Sequence, residues 1–293
     1  MSTETKKLAV VLHLIEEQPW GLMVAGDIKK VLAHHPSIQV QFADPGGDAA
    51  EQTRILDRLL DENIDALIVA PIDAAAVNAP LRRYRDAAVP VIVIDNEIDE
   101  PELCRSVILA DNHRFGREVG EFFAQVMGER GDLVEILGIP TSKPTPDRSA
   151  GFREALAGRS EMRILDSCIG NWKYTDALRG FTLLLARHER IDGVFAQNDE
   201  MARAALDAAA RAGREAEMLI VGIDALPSSI RLVAQARLAA TFINPSPGKD
   251  AVYALLAILN GEPCMEKMLL KTWPFRSNFR VEAWQKRYRQ DKA

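Results

Sequence analysis

Short apolar runs alternate with amphipathic stretches along the whole chain. The runs are LAVVLHLI (8–15), IQVQFA (38–43), ALIVA (66–70), VIVID (91–95) and SVILA (106–110), then DLVEILG (132–138), MRILDSCI (162–169), GVFAQ (193–197), MLIVGID (218–224), LAATFI (238–243) and KMLLK (267–271). Most are rich in Val, Ile and Leu with no polar alternate, as strands covered on both faces should be. Between them, segments such as AAEQTRILDRLLDEN, FGREVGEFFAQVMGE and DEMARAALDAAARAG repeat their apolar residues at helical spacing. Alternation of this kind predicts βαβ units with right-handed crossovers and parallel sheets. So many strands overfill one open twisted sheet, so the expected fold class is α/β, with two doubly wound halves. A break is expected near 110–112, where SVILA runs into DNH before a new helix. No Gly/Ser-rich linker marks it, which suggests several short crossings between the halves and hence a hinge.

In open α/β sheets ligands bind beyond the carboxyl ends of the strands, so the residues found there are candidates before any motif is considered. The first run leads into Gln18, Pro19 and Trp20; VIVI ends in Asp95 and Asn96; GVFAQ ends in Asn198 and Asp199; LIVGI ends in Asp224; AATFI ends in Asn244. The run at 132–138 leads into a loop carrying Arg148, and that at 162–169 into Asn171 and Trp172. Carboxylates accept, amides donate and accept, a guanidinium donates in a fixed fork, and indole faces offer flat apolar area. A sugar or polyol has the matching inventory of hydroxyls and C–H faces. Asp199 reads as a helix cap rather than a ligand contact. Arg148 at a helix start opposes the macrodipole and needs a compensating reason. Trp273 and Trp284, in the C-terminal tail, read as packing residues.

Composition narrows the field. The 293 residues are 47% apolar, and 36 Lys and Arg against 42 Asp and Glu leave a formal charge of −6. That balance offers no basic field for nucleic acid or for anionic membranes. No run approaches the length that spans a bilayer, so direct membrane insertion is not expected. Cys104, Cys168 and Cys264 are odd in number and widely spaced, which argues against a disulfide framework or a metal motif and reads as packing. His13, His34, His35, His113 and His188 show no metal spacing, so neither metal nor cofactor is expected.

Taken in order, IVAPIDAAAV, VPVIVIDNE, ILADN, DRSAGF, FAQNDEMA, VGID and LAATFIN resemble the periplasmic sugar-binding proteins of ABC transporters, type I, and among them the ribose-binding group. The resemblance runs from Leu8 to about Lys271. It implies two lobes joined by three hinge strands, 1–110 plus 244–272 forming the N-terminal lobe and 111–243 plus 273–293 the C-terminal lobe, closing on a monosaccharide. It also implies contacts from Asp95, Arg148, Asn198 and Asp224, with Asn244 where ribose binders have glutamine. Trp20 falls at one aromatic of their N-P-F-F turn, Gln18 at its asparagine, and Trp172 at a further stacking aromatic. Gly21 stands in place of the turn's second aromatic and Asn96 in place of a second arginine. Both changes open the pocket and lower its positive charge, which points away from ribose toward a larger or differently substituted sugar, a polyol or a furanose.

The expected activity is therefore capture of a monosaccharide or polyol between two lobes by a monomer that presents it to an ABC transporter permease, or to a chemoreceptor or sensor kinase. The expected compartment is the periplasm, with the leader absent from this chain and a cytoplasmic location kept open. A LacI-type effector domain is a weaker reading, because those chains begin with a helix-turn-helix and here the first strand starts by Leu8. Enzymes fit least: there is no G-x-G-x-x-G after the first strand, no G-x-S-x-G and no H-E-x-x-H.

Overall fold

The structure is a computed structural model that describes residues 5–12 and 19–290, with side chains as far as Arg287. In chain order its elements are β1 (Lys6–Val11), α1 (Pro19–Leu32), β2 (Ile38–Ala43), α2 (Ala49–Asp61), β3 (Ala66–Val69), α3 (Asn78–Asp86), β4 (Val91–Ile94) and β5 (Ser106–Ala110). Next come α4 (Asn112–Met127), β6 (Gly131–Leu137), α5 (Pro144–Leu156), β7 (Met162–Ile169), α6 (Tyr174–Arg187), β8 (Gly193–Ala196), α7 (Asp199–Arg211) and β9 (Leu219–Ile223). The chain ends with α8 (Pro227–Ala234), β10 (Ala240–Phe242), α9 (Gly248–Leu259), β11 (Lys267–Leu270), β12 (Pro274–Arg276) and α10 (Asn278–Gln290).

Two six-stranded sheets form, in the orders β11-β5-β4-β3-β1-β2 and β12-β10-β9-β8-β6-β7. Every pairing is parallel except that of β10 with β12. Each sheet reverses its strand order once, between β1 and β3 in the first and between β6 and β8 in the second, the switch points of doubly wound sheets. Side chains alternate between two faces along each strand. In the first sheet Leu8, Val10, Ile68 and Ile92 pack under Val24, Ile28 and Val252, while Ala9, Val11, Leu67 and Val93 pack under Leu56, Leu81 and Tyr84. Both faces are apolar, which is why these strands carry no polar alternate.

The chain divides into two compact units, one of Met1–Ala110, Thr141–Lys143 and Pro245–Lys271, the other of Asp111–Pro140, Pro144–Asn244 and Thr272–Ala293. This differs from the expected boundaries at three places. Asn244 belongs to the second unit, where its amide donates to Asp224 Oδ1 at 3.2 Å. Thr272 joins it there because its hydroxyl donates to the Ile243 carbonyl at 2.6 Å. Residues Thr141–Lys143 belong to the first unit, where the Asn96 amide donates to Ser142 Oγ at 3.4 Å. Of the two tail indoles, Trp284 is buried and donates to the Glu217 carbonyl at 2.9 Å, but Trp273 is 55% exposed and does not pack as expected.

Candidate functional site

The two units place an aspartate at the same point of the same topology. Asp95 follows β4, the fourth strand of the first unit, and Asp224 follows β9, the fourth of the second. Asp95 N–H donates to the Ile108 carbonyl on β5 at 3.1 Å, and Asp224 N–H donates to the Phe242 carbonyl on β10 at 2.9 Å. Both backbones have positive φ: +68° puts Asp95 in the left-handed basin, which aspartate enters more readily than most residues, and +121° puts Asp224 well outside it, where only glycine is unstrained. Of the two, Asp224 is the strained one, a kind of backbone that clusters at functional sites.

In the second unit the remaining candidates are tied into one network. Arg148, on α5, is 3% exposed. Its Nε donates to Asn112 Oδ1 at 2.9 Å, its Nη1 donates to the Gln197 carbonyl, and its guanidinium lies 5.4 Å from the ring centroids of both Phe115 and Trp172. These acceptors and ring faces are the compensation its position demands. Trp172 is buried, with φ +62°, and its indole fills space that only glycine leaves open: a Cβ on Gly138 would stand 2.0 Å from it. The cap of α7 is Asn198, not Asp199 as the sequence suggested. Asn198 Oδ1 accepts from Met201 N at 2.9 Å while its Nδ2 donates to the Trp172 carbonyl at 3.1 Å.

Asp199 is released from capping and turned inward, completely buried. Its Oδ1 accepts from Thr241 Oγ1 at 2.7 Å and its Oδ2 from Leu226 N at 2.8 Å. It thus ties the start of α7 to β10 and to the turn that carries Asp224. Burial pushes its pKa well above the usual carboxylate range; the Asp224 carboxylate adds to the push, and the hydrogen bonds of Thr241, Leu226 and Ser229 pull it back. A second buried acid, Glu135 in β6, accepts from Ser149 Oγ at 2.6 Å and from Gln197 Nε2 at 2.9 Å, and pairs with Arg153 at 3.2 Å. Burial raises its pKa, and these partners offset part of the rise. Gln197 Oε1 in turn accepts from Gly138 N at 3.0 Å. Glu135 therefore props Gln197, whose own carbonyl holds Arg148.

In the first unit, Asn96 is 3% exposed and donates to the Pro71 carbonyl, joining the end of β4 to that of β3, while its Oδ1 is buried without a partner. Trp20 packs on the apolar cluster of β1 and α1, with its indole Nε1 buried and also without a partner. Gln18 lies outside the described residues. Gln52 of α2 braces the β3 loop from below, donating to the Ala70 carbonyl and accepting from Ile72 N, both at 2.9 Å. Sequence reasoning missed Glu135, Gln197 and Asp199 as supports. Glu135 did carry a signal: one acid amid LVEIL, in a strand otherwise buried, requires partners.

A model of the periplasmic binding protein domain matches residues 8–263. The chain belongs to that family. This periplasmic binding protein is 30% identical over 226 residues to the ribose import binding protein RbsB of Salmonella typhimurium, covering 76% of this chain and 75% of the relative. It is 27% identical over 227 residues to RbsB of Bacillus subtilis, covering 77% and 73%. Among solved structures, the fructose-binding periplasmic domain of a hybrid two-component system superposes with a TM-score of 0.88 at 28% identity, over 98% of this chain and 95% of that one. The arabinose-binding component of a Shewanella sp. ANA-3 ABC transporter, at 23% identity and TM-score 0.88 over 98% and 97%, shares the fold. The type I fold is thus that of a family made up of solute-binding proteins. Among the described residues no helix is long and apolar enough to cross a membrane, and no three His, Cys, Asp or Glu side chains are grouped to hold a metal ion.

Proposed function

We propose that this protein captures a monosaccharide or polyol with the strand-end residues of both units and presents it to the permease of an ABC transporter, working in the periplasm as a monomer that does not turn its ligand over. The observation that carries the reading is the matched pair of strand-end aspartates with positive φ, Asp95 and Asp224. Each is a fixed acceptor of the kind that orients vicinal hydroxyls. Arg148, Asn198 and Trp172 supply a fork of donors, an amide and an indole. In the first unit the unpartnered Trp20 Nε1 and Asn96 Oδ1 offer one donor and one acceptor. A ligand that contacts both units favours the state in which it makes more contacts, which is the whole of its leverage on a hinge. Asn96 and Gly21, in place of an arginine and an aromatic, favour a bulkier or less polar ligand than ribose. A sensory role, in which a signalling receptor reads the loaded protein, is supported by the 28% identity to the domain of a two-component system.

A thermal-shift screen over pentoses, hexoses and polyols tests the reading, because a ligand that binds only the folded state raises Tm by mass action. The expected result is a saturable rise with one sugar class, weakened about 100-fold in affinity, roughly 2.7 kcal/mol, by Arg148→Ala. The sugar should be recovered unchanged by NMR. No stabilisation by any sugar or polyol would overturn it.

A further inference from the structure

Two of the three cysteines, scattered in the sequence, come to one place in the fold. β5 and β11 pair in parallel with Val107 opposite Lys267 and Ala110 opposite Leu270. Extending that register backwards by three residues sets Cys104 opposite Cys264. Both thiols line one cavity of about 580 Å³ at the amino ends of these strands, with Arg105, Val107 and Lys267. Both are free: Cys104 Sγ meets the Pro101 carbonyl at 3.3 Å and the backbone N–H of Ser106, and Cys264 Sγ meets the Met265 carbonyl at 3.5 Å.

We propose that Cys104 and Cys264 are a disulfide-forming pair that fastens β11 to β5 when the protein meets an oxidising disulfide compound. Neighbouring strands lie about 4.8 Å apart, inside the roughly 4.4–6.8 Å span of Cα atoms that a disulfide bridges. Within a regular ladder the pleat would hold the two Cβ atoms at strand spacing. Cys104 and Cys264 lie outside it, beyond the Val107 N–H···O=C Glu266 bond of 2.8 Å. The backbone at Cys104 and Arg105 is held by the Pro101 and Val91 carbonyls, so the irregular segment around Cys264 is the side that adjusts. What the bond would secure is an edge strand. β11 is held on one side only, by β5, and exposes Lys267 and Leu269. Such an edge frays most readily and most invites wrong pairing.

The chemistry balances with an oxidised glutathione-type disulfide as the electron acceptor. Cys264 lies in an irregular segment between exposed Pro263 and Met265, and its thiolate attacks the oxidant, forming a mixed disulfide and releasing one glutathione thiol. The Cys104 thiolate then attacks the Cys264 sulfur and releases the second. Two protons and two electrons leave the protein, and one disulfide becomes two thiols. Burial pushes the Cys104 thiol up to about 11, so the second step is the slow one and speeds up with rising pH. Cys168 serves as an internal control: it belongs to the other unit, packs beside Gly180, and burial pushes its thiol up to about 12.

The test incubates the purified full-length chain with oxidised glutathione at pH 8, then counts thiols after denaturation and maps peptides without reduction. The expected result is a fall from three titratable thiols to one, with a Cys104–Cys264 peptide two hydrogens lighter than its parts. Tm should rise by several degrees and return to its starting value with reductant. Cys264→Ser and Cys104→Ser should each give no cross-link. The double variant should match the reduced wild type in Tm, which shows that neither serine disturbs the fold. Three thiols persisting, glutathione adducts without a cross-link, or a link through Cys168 would each overturn the proposal.

Discussion

The two units are built on one topology and solve the same problem with opposite chemistry. Aligning them through Asp95 and Asp224, the ladder registers make Val10 the counterpart of Glu135, since Val10 pairs with Ile68 and Glu135 with Phe195, each one strand from the switch point. By the same alignment Ile72 is the counterpart of Asp199. Where the first unit buries a valine and an isoleucine, the second buries two carboxylates, and it also packs Arg148 and Gln197 into the same layer. The first unit holds its strand ends chiefly by apolar packing, helped by Gln52 and by the bonds of the Asn96 amide to the Pro71 carbonyl and Ser142 Oγ. The second invests buried polar groups that are expensive alone but, once mutually bonded, fix a unique arrangement. The lesson is a division of labour: the second unit fixes its strand ends with mutually bonded buried polar groups, and the first does so chiefly with apolar side chains.

The largest expected effect comes from exchanging the two solutions. Val10→Glu puts a carboxylate into the fully buried cluster of Val24 and Ile28, with none of the donors that Ser149 and Gln197 give Glu135. It should cost ~3–5 kcal/mol or prevent folding. Glu135→Val, by contrast, takes the acceptor from the Ser149 hydroxyl but leaves the Gln197 amide its bond to the Thr145 carbonyl at 3.1 Å, and should cost about 1–3 kcal/mol. Urea unfolding of the two variants measures the asymmetry. Equal losses would mean that the polar network in the second unit contributes nothing beyond what an apolar layer would.

Apolar layers leave periodic runs, so strands could be read in both units: 38–43 and 106–110 match β2 and β5 and 162–169 matches β7, whereas the run read as 8–15 forms a strand over Lys6–Val11, its residues 13–15 lying outside the described ones. The strand-end rule then singled out Asp95 and Asp224, because a carboxylate after four or five buried residues stands out. The rest was hidden for physical reasons. β12 consists of three exposed residues paired only to β10, so no burial period marks it. α8 is one short helix starting at Pro227 and reads as loop. The exchange of roles between Asn198 and Asp199 could not be read, since adjacent residues that both suit a cap are separated only by backbone dihedrals: Asn198 is extended, with φ −146° and ψ 171°, and Asp199 begins the helix.

A middle-sized effect should appear in the pH dependence of stability. Asp199 has its folded pKa raised above the ordinary 3.8, so between that value and the raised one the folded state binds more protons than the unfolded. Stability contributed this way is complete below the unfolded value and is lost as pH rises through the folded one, by at most about 1.4 kcal/mol per pH unit. Glu135 works in the same direction, with its partners offsetting part of the shift. Asp199→Asn resembles the protonated acid. It should forfeit one hydrogen bond, about 1 kcal/mol, at acid pH, yet show a flatter decline toward neutrality than the wild type. Parallel profiles for wild type and variant would show that Asp199 does not hold a proton in the folded state.

The smallest effect is the most direct probe of the paired aspartates. At φ +68° Asp95 sits in the left-handed basin, near +57°, whereas at φ +121° Asp224 lies well outside it. Glycine at either position removes the steric clash of Cβ but adds about 0.5–1 kcal/mol of unfolded-state entropy to be lost on folding. For Asp95→Gly the two nearly cancel, and loss of the carboxylate's own contacts should leave the variant about 0.5–1 kcal/mol less stable than wild type. Asp224→Gly relieves more strain, of order 1–3 kcal/mol, against one lost bond from Asn244 and the same entropy. It should come out neutral or up to about 1 kcal/mol more stable, while both variants lose sugar affinity. A carboxylate whose removal strengthens the fold and abolishes binding is kept for the ligand. If instead Asp224→Gly weakens the fold as much as an ordinary core substitution does, its carboxylate is structural, and the likeness between the two strand ends is one of topology alone.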